Sequence, residues 1–358
     1  MKNIITPIAI LLFMFSFSAS FSQGCIAIRN VTPFGTQFDN TAKTWQFSMN
    51  YRYFRSFRHF IGTEEQKQRQ EDHTEVINKD NSLTFGANYT LSSRWNISAS
   101  IPLLYIDRSS LYEHLGNSTI TNPEQLRFHT QGQGLGDIRL MSYFTLIPNQ
   151  AKWRLLVGLG FKLPTGNYNY KDYFHKPTGL QLLPVDQSIQ PGDGGLGIIT
   201  EFNATRMLNE KVIFYSSGLY MFNPRNTNGT LRGTGATATE LSVGDQFFFR
   251  LGAQYALGNF QAGLGGRIEG IPARDLIGKS DGFRRPGYII SIEPAITYMH
   301  GNHVIGLNVP IALIRNRTQS VLDLKRQQET GIPTHGDAAF ADYLISFTYA
   351  YRLAKKVF

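Results

Sequence analysis

The sequence predicts an all-β fold, a transmembrane up-and-down antiparallel β-barrel of about 12 strands. Three observations carry that prediction. Short segments alternate apolar and polar residues, long polar loops take turns with very short turns, and the segments run about ten residues, the length that crosses a bilayer at a tilt. The clearest segment places Trp45, Phe47, Met49, Tyr51 and Tyr53 on one face and Gln46, Ser48, Asn50 and Arg52 on the other. A period of two belongs to a strand with one apolar side.

The chain opens with Lys2, an apolar run from Ile8 to Phe15 and small residues at Ser18, Ala19, Ser20 and Ser22. Residues 1–22 therefore read as a signal peptide, cut after Ser20 or Ser22. An apolar core of about eight residues is far short of the roughly 20 that a spanning helix needs. Residues 23–43 follow, with Ile26, Ile28, Val31 and Phe34. This segment reads either as a periplasmic tail or as a plug folded back into the barrel, which occupies 44–358.

Within the barrel, strands are expected at 44–55, 81–91, 95–106, 136–147, 152–164, 195–206, 211–223, 244–256, 260–270, 287–299, 303–315 and 341–352. The tight connections are 92–94, 148–151, 207–210, 257–259 and 301–302, and the long ones are 56–80, 107–135, 165–194, 224–243, 271–286 and 316–340. Their alternation gathers every long loop at one end, as in outer-membrane barrels with short periplasmic turns and both termini periplasmic.

Register is testable from the turns. A two-residue turn at Gly301-Asn302 sets Tyr298 against Ile305, Ile296 against Leu307, Ile292 against Ile311 and Ile290 against Leu313, all apolar. The hairpin around Ser93 likewise pairs Tyr89 with Ile97, Ala87 with Ala99, Phe85 with Ile101 and Leu83 with Leu103. A soluble β-sandwich also alternates, but its strands are usually shorter and it has edges to protect. Here aromatics sit near strand ends, at Trp45, Trp95, Tyr105, Trp153, Tyr220, Tyr288, Tyr298 and Tyr351, as in interfacial girdles.

The polar face should line the lumen, because Arg or Lys facing lipid at mid-depth costs about 2–4 kcal/mol. Its charges are mixed: Arg52, Arg154, Lys162, Glu201, Arg250, Arg267, Glu269, Glu293 and Arg352. They can fill and stiffen the barrel as ion pairs or line a selective channel. Gly158, Gly160, Gly252, Gly263, Gly265 and Gly306 fall on the same face, leaving room for a ligand, a plug or large neighbours. Pro102, Pro294 and Pro310 each remove a ladder donor within a strand. They mark candidate kinks in the wall, needed either for closure or for a lateral opening to the bilayer.

Composition excludes several function classes. A single cysteine, Cys25, rules out an internal disulfide framework and multi-cysteine metal sites. The preceding Phe21-Ser22-Gln23-Gly24 lacks the aliphatic residue of a lipidation signal. The net charge of +9 is spread among acids without a basic cluster, so no nucleic-acid partner is expected.

The segment Gly132-Gln-Gly-Leu-Gly-Asp-Ile-Arg-Leu140, followed by Tyr143-Phe144, resembles the outer-membrane barrel family named for the MetA pathway of phenol degradation. Lys162-Leu-Pro-Thr-Gly166 and Gln190-Pro-Gly-Asp-Gly-Gly195 are similar to later signatures of that family. The resemblance implies kinship with hydrophobic-compound transporters of the fatty-acid type. Phe358 is the aromatic end of an insertion signal, though Lys356, Ala354 and Arg352 break the alternation before it.

No covalent chemistry is legible. The glycine run at 132–136 leads into a strand rather than a helix, unlike a dinucleotide site. No His has Ser two residues later, the arrangement of the outer-membrane phospholipase. Asp186, Asp193 and Asp245 could offer calcium ligands, but solvated loop carboxylates are far commoner. The sequence thus predicts a non-enzyme without cofactor: an exported barrel in the outer membrane of a Gram-negative bacterium, inserted by the barrel-insertion machinery among outer-membrane lipids. Passive passage of small solutes, hydrophobic ones included, is its expected function, with a structural or surface-interaction barrel as the alternative and a membrane-lipid enzyme third.

Overall fold

The computed structural model describes residues 42–147, 152–232 and 238–353. The expected signal peptide, residues 23–41 of the segment that follows it, Cys25 and Phe358 lie outside the described residues.

Twelve antiparallel strands form the wall: β1 (Thr44–Ile61), β2 (Ile77–Thr90), β3 (Trp95–Ser110), β4 (Phe128–Leu135 and Arg139–Ile147), β5 (Trp153–Lys162) and β6 (Gly197–Met207). They continue with β7 (Val212–Phe222), β8 (Gln246–Leu257), β9 (Phe260–Ile271), β10 (Gly287–His300), β11 (His303–Asn308 and Ile311–Asn316) and β12 (Ala338–Leu353). Each pairs with its sequence neighbour, and β12 returns to β1 from Trp45↔Leu353 to Phe60↔Ala338, so the sheet is closed. Closure leaves no edge strand, the requirement for a sheet surrounded by lipid.

The faces are inside out relative to a soluble protein. Trp45 and Phe47 are 43% and 44% exposed, whereas Gln46 and Arg52 on the alternate face are 6% and 8% exposed. The apolar side thus faces outward and the polar side lines the lumen. Long connections gather at one end, and Gly258 (φ 59°) and Gly301 (φ 55°) supply the left-handed position in short turns at the other. The long loops carry structure of their own: the hairpins Lys171–Lys176/Gly179–Pro184 and Thr227–Arg232/Thr239–Ser242, and a helix, Val321–Thr330, begun by a capping box of Ser320 and Asp323.

The β2–β3 register is the expected one throughout, including Tyr89↔Ile97 and Leu83↔Leu103. In β10–β11, Tyr298↔Ile305, Ile296↔Leu307 and Ile292↔Ile311 also hold. Beyond Ala312 the register shifts: Ile290 faces Ile314, not Leu313. Leu313 is the extra residue of a bulge, so Leu313 and Ile314 are both exposed on the outside.

The fourth strand also departs from the expected 136–147. It starts at Phe128 and is interrupted at 136–138, where Gly136 N–H donates to Pro102 O (2.8 Å). Pro102 has no N–H to return, and the register slips from Leu103↔Leu135 to Ser100↔Arg139. The first strand runs on to Ile61 rather than ending near 55, because β1 and β12 stay paired beyond the apolar band.

Candidate functional site

Inside the barrel, four of the predicted lumen residues meet. Arg267 binds Glu269 (2.8 Å) and Glu293 (3.3 Å), and Arg250 approaches Glu293 (3.9 Å). Asn308 donates to Glu293 (2.8 Å) and Ser217 accepts from Arg250 Nε (2.9 Å). The Phe248 ring lies under both guanidiniums, at 5.4 and 5.0 Å. All four charges are buried, and such charges persist away from water only when paired.

The remaining candidates are dispersed. Glu201 accepts from Tyr143 Oη (3.0 Å) and Asn203 (2.9 Å). Arg352 donates to Gln46 (3.2 Å), Arg52 stands 5.9 Å from the Phe54 ring, and Arg154 lies opposite Thr205 on β6. The inward glycines accommodate large neighbours. A Cβ at Gly158 would sit 2.6 Å from the Tyr143 ring, one at Gly160 2.3 Å from Met141 Sδ, and ones at Gly252 and Gly265 2.5 and 2.4 Å from Tyr215 Oη.

Periodicity did not reveal a second inner feature. Met141, Tyr143, Leu156, Ile199, Leu219, Met221 and Phe248 form a buried apolar patch across β4–β8. Its only trace in the sequence is adjacent apolar pairs, Leu155-Leu156 and Ile198-Ile199, in segments read for their outward face alone.

The three stretches that carry the family resemblance converge at one point. Asp137 Oδ1 accepts from Gly166 N–H (3.0 Å) and Asp137 Oδ2 from Asp193 N–H (3.2 Å). Lys162 reaches Asp137 (3.5 Å) and forms a close ion pair with Asp193. Thr165 Oγ1 accepts from Ile138 N–H (2.9 Å) and donates to Gly136 O (2.8 Å), spanning the break in β4. Gly166 and Gly192 pack backbone to backbone, with no room for a Cβ. A cavity of about 90 Å³ lies beside this knot, lined by Pro102, Leu104, Arg139, Gln190 and Arg284 among others.

Above the knot, the 165–194 connection folds into the outer mouth. A single 3-10 turn, Gln187–Ile189, sits against β3 and β4 so tightly that a Cβ at Gly132 would lie 1.8 Å from Ile189 O. Asp186, just before the turn, is held bidentately by Arg285 (2.8 and 2.6 Å), approached by Arg108 (3.6 Å), and accepts from the N–H (3.0 Å) and hydroxyl (2.7 Å) of Ser188. Arg108 in turn binds Glu113 through two 2.8 Å bonds. Burial alone would raise the Asp186 and Glu113 carboxyls, but the guanidiniums outweigh it and hold both below the usual range, Asp186 well below. Outside this latch a cavity of about 530 Å³ opens, lined by Tyr112, Phe174, Leu183, Val185, Leu231 and Lys176 among others.

The ladder is incomplete in two places: the upper piece of β4, Phe128–Leu135, pairs with β3 alone, and a seam runs between β11 and β12. β12 pairs with the lower piece of β11 over six residues, but with the upper piece only at Ile311↔Tyr343. Pro310 lies at the interruption; its O accepts from Leu344 N–H (3.1 Å), while Val309 N–H donates to Pro294 O (3.0 Å). Above it side chains span the gap. Arg315 donates to Ala341 O (3.1 Å) and Asp342 (2.5 Å), and Asp342 also accepts from Arg58 (2.8 Å), itself bidentate to Glu65 (2.6 Å). A cavity of about 20 Å³ between Pro310, Ala312, Phe54 and Tyr343 marks the loosened packing.

Among the described residues, no group of three or more His, Cys, Asp or Glu could hold a metal ion. Asp186 is taken by arginines and Asp193 by Lys162. Asp245 accepts from Asn223 N–H (2.7 Å), Leu276 N–H (2.9 Å) and Tyr220 (2.8 Å).

A closed twelve-stranded barrel with an apolar exterior, a polar lumen and an outer mouth shut by its own loop is an outer-membrane β-barrel. Its fold is that of an outer membrane channel from Pseudomonas putida F1, with TM-score 0.62 at 12% identity over 90% of this chain and 100% of that one. The resemblance drawn from the glycine segments therefore holds at the level of fold. A FadL homologue from Pseudomonas aeruginosa aligns at TM-score 0.43 and 8% identity, covering 87% of this chain and 90% of that one. The Ralstonia pickettii toluene transporter TbuX aligns at 0.40 and 11%, covering 88% and 90%; both scores are too low to equate sites. No family model and no curated protein matches the sequence.

Proposed function

We propose that the protein passes small, hydrophobic solutes across the outer membrane without covalent chemistry, and that they leave the lumen through the β11–β12 seam. The observation that carries this reading is the missing ladder above Ile311↔Tyr343, where side-chain bonds alone join two neighbouring strands. Such a join parts as a window without breaking β11–β12 backbone pairing, between the ladder below Tyr343 and the Gly62↔Arg317 backbone bridge (2.8 Å in both directions) that ties β1 to β11 above it. Leu313 and Tyr343, 63% and 49% exposed, flank it with apolar surface. Pro310, whose O accepts from Leu344 N–H on β12, has no N–H to return to that strand, and Pro294 withholds the corresponding donor from β11 on its other side. The apolar patch on β4–β8 gives such a solute a surface inside an otherwise charged lumen. In this reading residues 1–22 direct export, the barrel-insertion machinery places the chain, and Arg52, Arg154, Lys162, Glu201, Arg250, Arg267, Glu269, Glu293 and Arg352 line the route.

The dense pairing around Arg267 favours a second reading, a stiff barrel without transport. One experiment separates the two. Cysteines at Leu313 and Ala341, in a Cys25→Ser background, are joined by a short bismaleimide in proteoliposomes. Entry of an apolar fluorescent probe, N-phenyl-1-naphthylamine, should stop on bridging while ion conductance is unchanged. Probe entry that ignores the bridge refutes the lateral exit, and impermeability of the unbridged protein favours the structural barrel. Replacing Pro294 and Pro310 together should slow probe entry in the same assay.

A further inference from the structure

We infer that the outer surface of β1–β2 is a binding site for a phosphorylated glycolipid of the outer leaflet, that is, lipopolysaccharide held through its phosphates. The inference starts from an unfavourable pairing. Arg55 on β1 and Lys79 on β2 are directly opposite in the ladder, and both are exposed on the outward face. Like charges directly opposite on neighbouring strands are destabilising. Among the described residues neither has a carboxylate within ion-pair distance. Arg55 lies over the ring of Phe57, at 4.4 Å, and Asp107, the residue across from Lys79 on β3, is bound to His129 at 2.9 Å.

The pair also sits at a telling height. Ten residues separate Trp45, at the short-turn end, from Arg55. At ~3.3 Å per residue and a tilt of ~40°, that is ~25 Å, the height of the apolar band of a membrane barrel. Arg55 and Lys79 therefore emerge where headgroups of the outer leaflet begin, one step above Tyr53, Asn81 and Tyr105. Two adjacent cations at that level, with an aromatic ring beside them, fit a phosphate monoester that accepts charge-assisted bonds from both. A bound phosphate turns the repulsion into a shared attraction, and this accounts for two cations in one register position.

The test uses the full-length protein in nanodiscs, with lipid A binding read by native mass spectrometry. Bisphosphorylated lipid A should bind, and Arg55→Ala with Lys79→Ala should weaken it by about tenfold per removed cation. Arg55→Lys with Lys79→Arg should retain binding, and Lys211→Ala, at the opposite end, should leave it intact. Arg55→Glu should abolish lipid A binding yet raise the heat stability of the lipid-free barrel, because it pairs with Lys79; a purely structural role would not split these readouts. Equal binding of dephosphorylated lipid A, displacement by phosphatidylglycerol or inorganic phosphate at matched concentration, or wild-type binding by the double alanine variant would overturn the assignment.

Discussion

Asp186→Asn isolates the charge of the mouth latch, since an amide oxygen can still accept from Ser188 while Arg285 loses its counter-ion and Arg108 keeps only Glu113. In the wild type Asp186 neutralises Arg285 at 2.6 Å and Arg108 at 3.6 Å, and its side chain is only 2% exposed. Removing one partner of a buried ion pair costs about 3–5 kcal/mol, because the other charge is left uncompensated. The twelve-stranded ladder contributes nothing to this contact, so the cost falls on loop closure. The population of the opened mouth should rise about 100-fold or more. Amide exchange at Ser188 and Ile189 reads that opening, and single-channel conductance in a planar bilayer should increase with it. Acid should not mimic the variant at pH 4. A carboxyl held well below its usual range contributes stability above its unfolded pKa, and the contribution is lost only as pH falls through the depressed folded value. Unchanged protection and unchanged conductance in Asp186→Asn, with a correctly folded barrel, would refute the latch.

Three further outcomes follow from the same geometry. Gly160→Ala puts a Cβ 2.2 Å from Leu140 O, so overpacking should cost about 1–3 kcal/mol in heat-modifiability assays, whereas Gly266→Ala meets nothing within 4 Å and should be neutral. Asp337 would be raised by burial, but the hydrogen bond to His59 (2.8 Å) and the charge of Arg69 lower it to about 2. It should contribute ~2 kcal/mol above pH ~4, lost as pH falls through about 2, and Asp337→Asn should flatten that acid limb of the stability curve. Burial lowers His114, among Glu113, His175, Lys176 and His129, to about 4, and its Nδ1 accepts from His175 N–H (3.1 Å). Because the unfolded ring binds its proton nearer pH 6.5, stability here falls as pH drops from about 6.5 to about 4, and exchange at the His175 amide should quicken over that window unless His114→Phe is present.

Legibility tracked how local each determinant is. The β2–β3 hairpin was readable because its register runs without a shift from Thr90↔Asn96 to Ile77↔Ser109. The β10–β11 hairpin was readable up to Ala312 and no further. A bulge adds one residue without any compositional mark, and both candidates for it, Leu313 and Ile314, suit the lipid face. The apolar patch was hidden because Leu156 and Ile199 sit beside outward-facing partners, and an alternation test assigns only one face as apolar. The latch was the least accessible: Asp186 and Arg285 are 99 positions apart, in two loops with no periodicity to relate them.

The latch and the seam share a design that follows from the barrel's surroundings. Backbone pairing is strongly favoured wherever lipid touches the wall, because an unsatisfied N–H or C=O there costs several kcal/mol, and the ladder missing above Ile311↔Tyr343 is an exception to it. A moving part therefore has to be built from something other than the ladder. In the mouth that something is Asp186 between two arginines; at the seam it is Asp342 between Arg58 and Arg315. Each is a carboxylate shared by guanidiniums, and each can part while every backbone bond below it stays made. Their burial differs sharply, at 2% exposure for Asp186 and 36% for Asp342, and exposure to water and salt weakens an ion pair. The seam should thus open more readily than the mouth, and raised ionic strength should widen that difference. A salt titration of amide exchange that loosened Ser188 before Asp342 would reverse the order argued here.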